Sequence, residues 1–272
     1  MSCFINGKVF SESEACLRAD DLGLQRGYAV FDFARTCNGK LFHINDHLER
    51  LRTSASALRL PLKYTDEEII EIARELIQRS NLRRPAVRFI LTGGYTQQGV
   101  EFEEPNFIVT AEEQQAYPAE VYAKGGKLIT YEYQRELPRV KTTNYLNAIR
   151  LEPLRLQKKA FDILYFSNNE VSECPRSNFS MFKGERLITP KDNVLLGITR
   201  KIILRLAEDK FIVEERPISM TELKTADEAF VTSTSKRVIP IVQINDFLIG
   251  NGVVSHRTRT IMKLFEEYDA SY

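Results

Sequence analysis

The sequence lacks the features that mark several large classes of protein. Its cysteines, Cys3, Cys16, Cys37 and Cys174, form no CxxC pair and show no spacing typical of a disulfide framework. No apolar run approaches the ~20 residues that span a bilayer. The opening residues MSCFINGKVF show no basic segment followed by an apolar one, as a secretory signal would. These absences predict a cytoplasmic protein with reduced thiols and no membrane partner.

An excess of charge of one sign is also missing. The chain carries 38 Lys and Arg against 37 Asp and Glu, a formal net charge of +1. Proteins that bind nucleic acids or anionic membranes take much of their affinity from a basic excess. The balance therefore argues against a nucleic-acid partner and favours small molecules or other proteins.

Common catalytic and ligand-binding motifs are absent as well. Gly93, Gly94 and Gly99 enrich one loop, but no Gly-Lys-Ser/Thr follows, so a P-loop is excluded, and no GxGxxG opens a helix. His43 and His47 are four positions apart in HINDH, yet the segment lacks the glutamate of a zinc-protease helix. Helix capping or packing explains both histidines, and we predict no metal site. No GxSxG elbow supports a serine nucleophile.

The chain is long enough for one large or two small domains, and its patterning mixes helices with strands. Residues 65–78 combine a Thr65–Glu68 capping box with an apolar face, which predicts a helix. Further helices are predicted over 46–58, 144–159, 199–208 and 257–268. Strands are predicted over 86–92, 106–110, 127–133, 161–166, 178–182, 186–188, 228–231 and 238–242.

A polar stretch with one proline interrupts this pattern near residues 111–120. It predicts a small N-terminal α/β domain over 1–113, a linker over 114–120 and a large C-terminal α/β domain over 121–272. The predicted fold class is therefore α+β in two domains.

Few residues suggest chemistry by themselves. Gly197-Ile198-Thr199-Arg200 places a glycine and a hydroxyl at a helix start, where free backbone N–H groups attract phosphate. An ordinary helix cap explains the same residues. Lys141 and Glu173, each taken alone, are better explained as solvated surface charges than as functional groups.

Taken together, several separated segments resemble the class IV aminotransferases, the fold-type IV pyridoxal-phosphate enzymes. The resemblance spans nearly the whole chain and begins at Asn6-Gly7. Its segments, in the family's order, are LGLQRGYAVFDFARTCNGKLFHINDHLERL, LPRVKTTNYLNAIR, EVSECPRSNFSMFKGERLITP, NVLLGITRKII and FVTSTSKRVIPI.

The resemblance implies a two-domain fold-type IV enzyme with pyridoxal 5′-phosphate as cofactor. Lys141 matches the lysine that holds the cofactor as a Schiff base and then shuttles a proton. Glu173 matches the carboxylate that faces the pyridine nitrogen and keeps it protonated. The other positions that match cofactor-binding residues are Arg50, Gly197, Ile198, Thr199 and Thr234 around the phosphate, and Leu195 and Tyr145 around the ring.

The substrate side departs from the family's pattern. Two residues separate Lys141 from Asn144, as in D-amino-acid aminotransferases and aminodeoxychorismate lyases, whereas branched-chain enzymes usually have three. The D-amino-acid enzymes commonly bind the substrate carboxylate through an early tyrosine and an Arg-x-His pair. Here Phe31 replaces the tyrosine, and the loop over 93–99 contains neither arginine nor histidine.

Three arginines are candidates to replace that clamp, because guanidinium groups bind carboxylates with two parallel hydrogen bonds. Arg26 stands at a usually aromatic position, Arg35 shares a strand face with Phe31, and Arg176 follows Glu173 by three residues. The alternative is that these arginines pair with Asp32 or with surface acids. Lys236-Arg237 is also unusual, since many relatives have Ala-Glu there.

These observations predict a D-amino-acid transaminase that acts on amino acids and 2-oxo acids and passes the amino group to 2-oxoglutarate. The alternatives are a branched-chain L-aminotransferase, an aminodeoxychorismate lyase, and a non-catalytic protein that has lost the cofactor. Intact Lys141, Glu173 and Arg50 argue against the last. The resemblance also implies a homodimer with shared active sites.

Overall fold

A computed structural model describes residues 2–11, 13–96, 104–114 and 116–272. Gly99 of the glycine-rich loop and Gln115 of the predicted linker lie outside the described residues. The chain divides into two units, Met1–Gln115 with Val140–Asn144, and Ala116–Arg139 with Tyr145–Tyr272. Each unit contains both helices and strands, which confirms the predicted α+β class.

The first unit is built on one antiparallel sheet. Its strands run in the order β2-β1-β6-β5-β3-β4. The elements in chain order are β1 (Ser2–Ile5), β2 (Lys8–Ser11), α1 (Leu22–Arg26), β3 (Ala29–Cys37), β4 (Lys40–Leu41), α2 (Ile44–Ala57), α3 (Asp66–Gln78), β5 (Pro85–Thr92) and β6 (Phe107–Glu113).

Local signals explain where α3 begins and which face it buries. Thr65 N donates to Glu68 Oε2 at 2.7 Å and Glu68 N donates to Thr65 Oγ1 at 3.2 Å, so the predicted capping box is confirmed. The apolar side chains of α2 and α3 pack on one face of the sheet and form the core of this unit. The opposite face carries Phe31, Phe33 and Arg88, because successive strand residues point to opposite sides.

The second unit is built on a larger mixed sheet. Its main path is β13-β12-β11-β14-β15-β7-β8-β9, with β10 on β11 and β16 on β15. The strands are β7 (Gly126–Glu132), β8 (Asp162–Ser167), β9 (Glu170–Val171), β10 (Glu173–Cys174), β11 (Ser177–Lys183), β12 (Arg186–Thr189), β13 (Ile212–Glu215), β14 (Glu228–Ser233), β15 (Arg237–Ile244) and β16 (Phe247–Leu248). The helices are α4 (Ala119–Lys124), α5 (Leu146–Arg150), α6 (Glu152–Gln157), α7 (Ile198–Ala207), α8 (Met220–Leu223) and α9 (His256–Ser271).

The single helix predicted over 144–159 is wrong, because the structure has two short helices there, α5 and α6. Pro153 lies in the first turn of α6. Proline has no N–H to donate and its ring clashes with the carbonyl four residues earlier, so an unbroken helix is disfavoured. None of the helices within the described ranges is long and apolar enough to cross a bilayer.

Candidate active site

Lys141 is anchored to the first half of β3 by its own backbone. Phe31 N donates to the Lys141 carbonyl at 2.9 Å and Thr143 N donates to the Ala29 carbonyl at 3.1 Å. Lys141 N donates to Ser54 Oγ of α2 at 3.1 Å. These bonds attach residues 140–144 to the sheet like a short extra strand, which determines where the Lys141 side chain starts.

The side chain of Lys141 lies over an aromatic ring. Its Nζ is 4.5 Å from the centroid of Phe31, a residue that is 8% exposed. A ring face attracts an ammonium group while it shields the group from water on that side. Phe31 is therefore positioned to orient the Lys141 side chain.

Arg50 is held by a buried carboxylate. Asp32 Oδ2 accepts from Arg50 Nε at 2.8 Å, Asp32 Oδ1 accepts from Arg50 Nη2 at 2.8 Å, and His47 Nδ1 lies 2.7 Å from Oδ1. Burial by itself would raise the pKa of Asp32, but the Arg50 and His47 groups outweigh it and hold that pKa well below its usual range. Asp32 thus binds Arg50 and His47 rather than the three arginines considered for it.

Burial has the opposite consequence for His47. The pKa of its imidazole is lowered mainly because burial disfavours the charged form, and Arg50 and Lys141 lower it further. Asp32 opposes this shift without cancelling it. The packing role predicted for His47 agrees with its 1% exposure. No three His, Cys, Asp or Glu side chains cluster into a possible metal site within the described part of the chain.

In the second unit, Glu173 has a full set of donors. Its Oε1 accepts from Arg135 Nη1 at 2.9 Å, and its Oε2 accepts from Leu195 N at 3.0 Å and from Asn178 Nδ2 at 3.2 Å. A guanidinium and two neutral donors all favour the charged carboxylate. Glu173 is 4% exposed, so this is a buried anion held in one orientation. Arg135 was not singled out by the sequence analysis, because it lies 38 positions away in the chain.

The start of α7 has no capping side chain. Gly197 is the N-cap residue and offers no side chain to the first turn, whose Ile198 and Thr199 are buried. A methyl group on Gly197 would lie 2.1 Å from Asn178 Oδ1, so the close approach of Asn178 requires glycine here. A helix start without a capping side chain presents unpaired backbone N–H groups at its positive end.

A buried hydroxyl near this helix start has no partner. Thr232 Oγ1 is buried without a hydrogen bond; in the described residues only Thr258 Oγ1 shares that property. Thr232 is the register partner of Asn178, so the two side chains project from the same face of the sheet. Asn178 contacts Glu173 on that face. The hydroxyl of Thr232 is thus an unpaired donor next to Asn178, on the strand at the other side of Asn178 from Glu173.

The remaining cofactor-binding candidates also have defined places. Leu195 is half-buried, and its carbonyl accepts from Asn178 Nδ2 at 2.7 Å. Thr234 is half-buried in the turn between β14 and β15. Tyr145 precedes α5, where its carbonyl accepts from Ile149 N at 3.0 Å.

The three candidate arginines differ in environment. Arg26 ends α1 and Arg176 precedes β11, and both are exposed. Arg35 is 2% exposed, and its guanidinium carbon lies 4.0 Å from the centroid of the Phe42 ring. Its burial against Phe42 favours a packing role for Arg35, whereas Arg26 and Arg176 present their charges to solvent.

A fourth arginine, absent from the sequence prediction, lies beside Phe31. The guanidinium carbon of Arg88 is 5.4 Å from the Phe31 ring centroid and 5.1 Å from that of Phe33. Arg88 is oriented by Glu112, which accepts from its Nε at 2.6 Å and from its Nη2 at 2.9 Å. The signal that could have identified it is the strand pairing, since Arg88 stands opposite Phe33 in the β3–β5 register.

The structure thus brings the predicted residues together in two groups, each within one unit. In the first, Phe31 and Lys141 are in contact, and Arg50 is bound to Asp32, the residue next to Phe31. In the second, Asn178 connects Glu173, Leu195 and Gly197.

Comparisons with known proteins identify the family of the chain. The model of the amino-transferase class IV family matches residues 29–244. D-alanine aminotransferase of Staphylococcus haemolyticus is 31% identical, over 97% of this chain and 96% of that protein. A putative branched-chain-amino-acid aminotransferase of Methanocaldococcus jannaschii is 29% identical, over 98% of this chain and 96% of that protein. The crystal structure of Escherichia coli branched-chain amino acid aminotransferase superposes with a TM-score of 0.92, over 99% of this chain and 95% of that one. Its sequence identity of 24% makes this a likeness of fold alone.

Proposed function

Since the chain belongs to the class IV aminotransferases, which are pyridoxal-phosphate-dependent enzymes, we propose that it transfers amino groups from D-amino acids to 2-oxoglutarate. The products are D-glutamate and a 2-oxo acid. The observation that carries the D specificity is the similarity to a D-alanine aminotransferase across 97% of the chain. The two-residue spacing between Lys141 and Asn144 supports the same choice.

The residues present fit the cofactor's chemistry. The uncapped start of α7 suits a phosphate, and in the other unit the guanidinium of Arg50 is a positive charge held in a fixed orientation. Glu173 is a buried anion suited to a pyridinium nitrogen, and the hydroxyl of Thr232 is a donor without a partner on that face. What pyridoxal 5′-phosphate supplies when bound is a carbonyl carbon that reacts with amines and a ring that withdraws electrons.

Lys141 is the residue that we propose binds this carbonyl and moves the substrate proton. Its backbone is hydrogen-bonded to β3 and α2, and its Nζ lies over Phe31. An amine with a fixed starting point and one shielded side can hold a proton close to a substrate carbon and return it. Glu173 is oriented by Arg135 and Asn178, and its carboxylate would stabilise positive charge on the ring nitrogen of the bound cofactor.

The substrate carboxylate requires a cation as its binding partner, and our candidates are arginines. Arg26 and Arg176 are exposed, and Arg88 lies against Phe31, which itself touches Lys141. A carboxylate binds a guanidinium with two parallel hydrogen bonds, so one or two of these residues suffice. We propose Arg26, Arg88 and Arg176 as the substrate-binding cations, with Phe31 as the apolar surface beside Arg88.

A panel of single half-reactions tests the function. The purified protein, loaded with cofactor, is mixed with the D and L forms of alanine, glutamate and leucine while cofactor absorption is followed. We expect fast conversion with D-alanine and D-glutamate, none with their L forms, and no conversion by Lys141→Ala. A preference for L-leucine would instead identify a branched-chain enzyme, for which the Methanocaldococcus jannaschii relative is the supporting observation. Release of pyruvate from aminodeoxychorismate without transamination would identify the lyase.

We also propose that the protein is a cytoplasmic homodimer in which both chains contribute to each site. The exposed leucine and isoleucine of α5, Leu146 and Ile149, are each 73% exposed, which is unusual for large apolar side chains. Sedimentation should show a dimer, and dilution that separates the two chains should abolish activity. A fully active monomer would contradict shared sites.

A further inference from the structure

Lys236 is a buried cation that the proposed function leaves without a role. It is 3% exposed, and its Nζ forms an ion pair with Asp162 and donates to Ser177 Oγ at 2.7 Å. Its Nζ also lies 5.3 Å from the centroid of the Phe161 ring. The side chain thus joins the turn after β14 to the first residues of β8 and β11.

The backbone of Lys236 is held as firmly as its side chain. Lys236 N donates to Ser233 Oγ at 3.2 Å, and its carbonyl accepts from Tyr122 Oη at 3.1 Å. Thr234 lies between the two bonded residues, Ser233 and Lys236. The turn that carries Thr234 is therefore attached to its surroundings by the residue at its end.

A gain in stability does not by itself explain why Lys236 and Asp162 form a buried ion pair. Desolvation of two charges offsets much of their attraction, and replacing a buried pair by apolar groups often leaves stability unchanged. A buried pair does restrict geometry, because each charge must keep its partner. We propose that Lys236 is a positioning residue that holds the Thr234 turn in the shape that binds the cofactor's phosphate. This inference rests on the proposed function.

The test separates phosphate binding from general binding of the ring. The full-length chain is freed of cofactor and titrated with pyridoxal 5′-phosphate and with pyridoxal, which lacks the phosphate. The ratio of the two dissociation constants measures the phosphate's contribution. In the double variant Lys236→Met/Asp162→Asn, which leaves no unpaired charge, we expect this ratio to shrink by about tenfold, the loss of roughly one charged hydrogen bond. Pyridoxal affinity should stay unchanged.

The matched control is Glu228→Gln at the other end of β14. Glu228 is 4% exposed and its Oε1 lies 3.4 Å from Arg257 Nη1, so its substitution also removes a buried ionic contact. This control should destabilise the protein while leaving the ratio at the wild-type value. An unchanged ratio in the double variant, or an equal loss for both ligands, would overturn the positioning role.

Two further results have defined meanings. A wild-type protein that binds pyridoxal as tightly as its phosphate would show that the proposed phosphate site is wrong, whatever Lys236 does. Should the double variant fail to fold, Ser177→Ala decides, because it removes one partner of Lys236 and keeps the ion pair. A wild-type ratio in folded Ser177→Ala would then count against the inference, and a ratio reduced by roughly threefold, part of one charged hydrogen bond, would support it.

Discussion

The guanidinium of Arg50 donates from both Nε and Nη2 to the carboxylate of Asp32, each at 2.8 Å, across 18 positions of the chain. Asp32 is fully buried, whereas the side chain of Arg50 is 13% exposed. Because a fork of two hydrogen bonds allows little rotation, the exposed edge of Arg50 has a fixed direction. We propose that this pairing makes Arg50 a preformed cation for an anionic ligand.

Replacing Asp32 with Asn should destabilise the protein markedly. The change removes the charge that compensates Arg50 in a buried setting, and breaking a buried pair in this way costs about 3–5 kcal/mol. Urea unfolding of the cofactor-free protein measures the loss. Asp20→Asn is the control, since the Arg18–Asp20 pair is exposed and should contribute under ~1 kcal/mol. A loss for Asp32→Asn no greater than the control's would contradict the interpretation.

Acidification should destabilise the protein through His47. Burial lowers the pKa of His47 in the folded protein below its ordinary 6.5. Between the folded pKa and 6.5, the unfolded chain therefore binds a proton that the folded chain does not. The contribution of His47 to the free energy of unfolding is therefore fully present above pH 6.5. Below that pH it is lost, by at most about 1.4 kcal/mol per pH unit. Asp32, whose folded pKa is lowered, adds its own loss only below 3.8.

Urea unfolding across about pH 5 to 8 tests the His47 contribution. His47→Asn should flatten the slope, and His256→Gln, at an exposed position, should leave it as in the wild type. Equal slopes in the wild type and His47→Asn would mean that another group titrates.

Lys141→Ala should abolish covalent attachment of the cofactor. The wild-type protein should be yellow, and borohydride reduction should add the mass of the cofactor to the chain. Lys124→Ala, on an exposed side chain, serves as the control and should behave as the wild type. Persistent labelling of Lys141→Ala would assign the attachment to a different lysine.

Glu173→Gln should lower turnover by about a hundredfold or more. A neutral amide cannot stabilise a charged ring nitrogen as a carboxylate does. The change removes one or two charged hydrogen bonds of about 1.5–3 kcal/mol each, and every ~1.4 kcal/mol lowers the rate tenfold. Steady-state kinetics with D-alanine provides the measurement. Glu170→Gln, three residues earlier and exposed, is the control. Near-normal turnover would remove Glu173 from the site.

Alanine at Arg26, Arg88 or Arg176 should weaken substrate capture by roughly tenfold to a hundredfold, since each charged hydrogen bond contributes about 1.5–3 kcal/mol. An arginine that binds the α-carboxylate should affect D-alanine and D-glutamate equally; one that binds the side-chain carboxylate should affect D-glutamate alone. Cofactor affinity should stay constant, and Arg83→Ala, on an exposed side chain, should change nothing. Wild-type kcat/KM in all three variants would exclude an arginine clamp.

Much of the local structure was predictable because its causes lie within a few residues. The capping box of Thr65 and Glu68 places the start of α3, and Gly197 marks the start of α7. The hairpin of β11 and β12 follows from two apolar segments around Gly184, whose φ is +55°. The prediction of one helix over 144–159 is wrong because Pro153 disfavours an unbroken helix, an effect that is equally local.

The sequence by itself determined the family, the α+β class and the candidate lysine, glutamate and phosphate-binding turn, because these depend on residue order and short-range signals. Only the tertiary structure decided which charges pair: Asp32 with Arg50, Arg135 with Glu173, Asp162 with Lys236. The last two pairs lie 38 and 74 positions apart. The physical reason is that a charge is attracted by any opposite charge, so its partner depends on which strands and helices the fold brings together. Once the pair is buried, removing either partner leaves an uncompensated charge, which destabilises the fold.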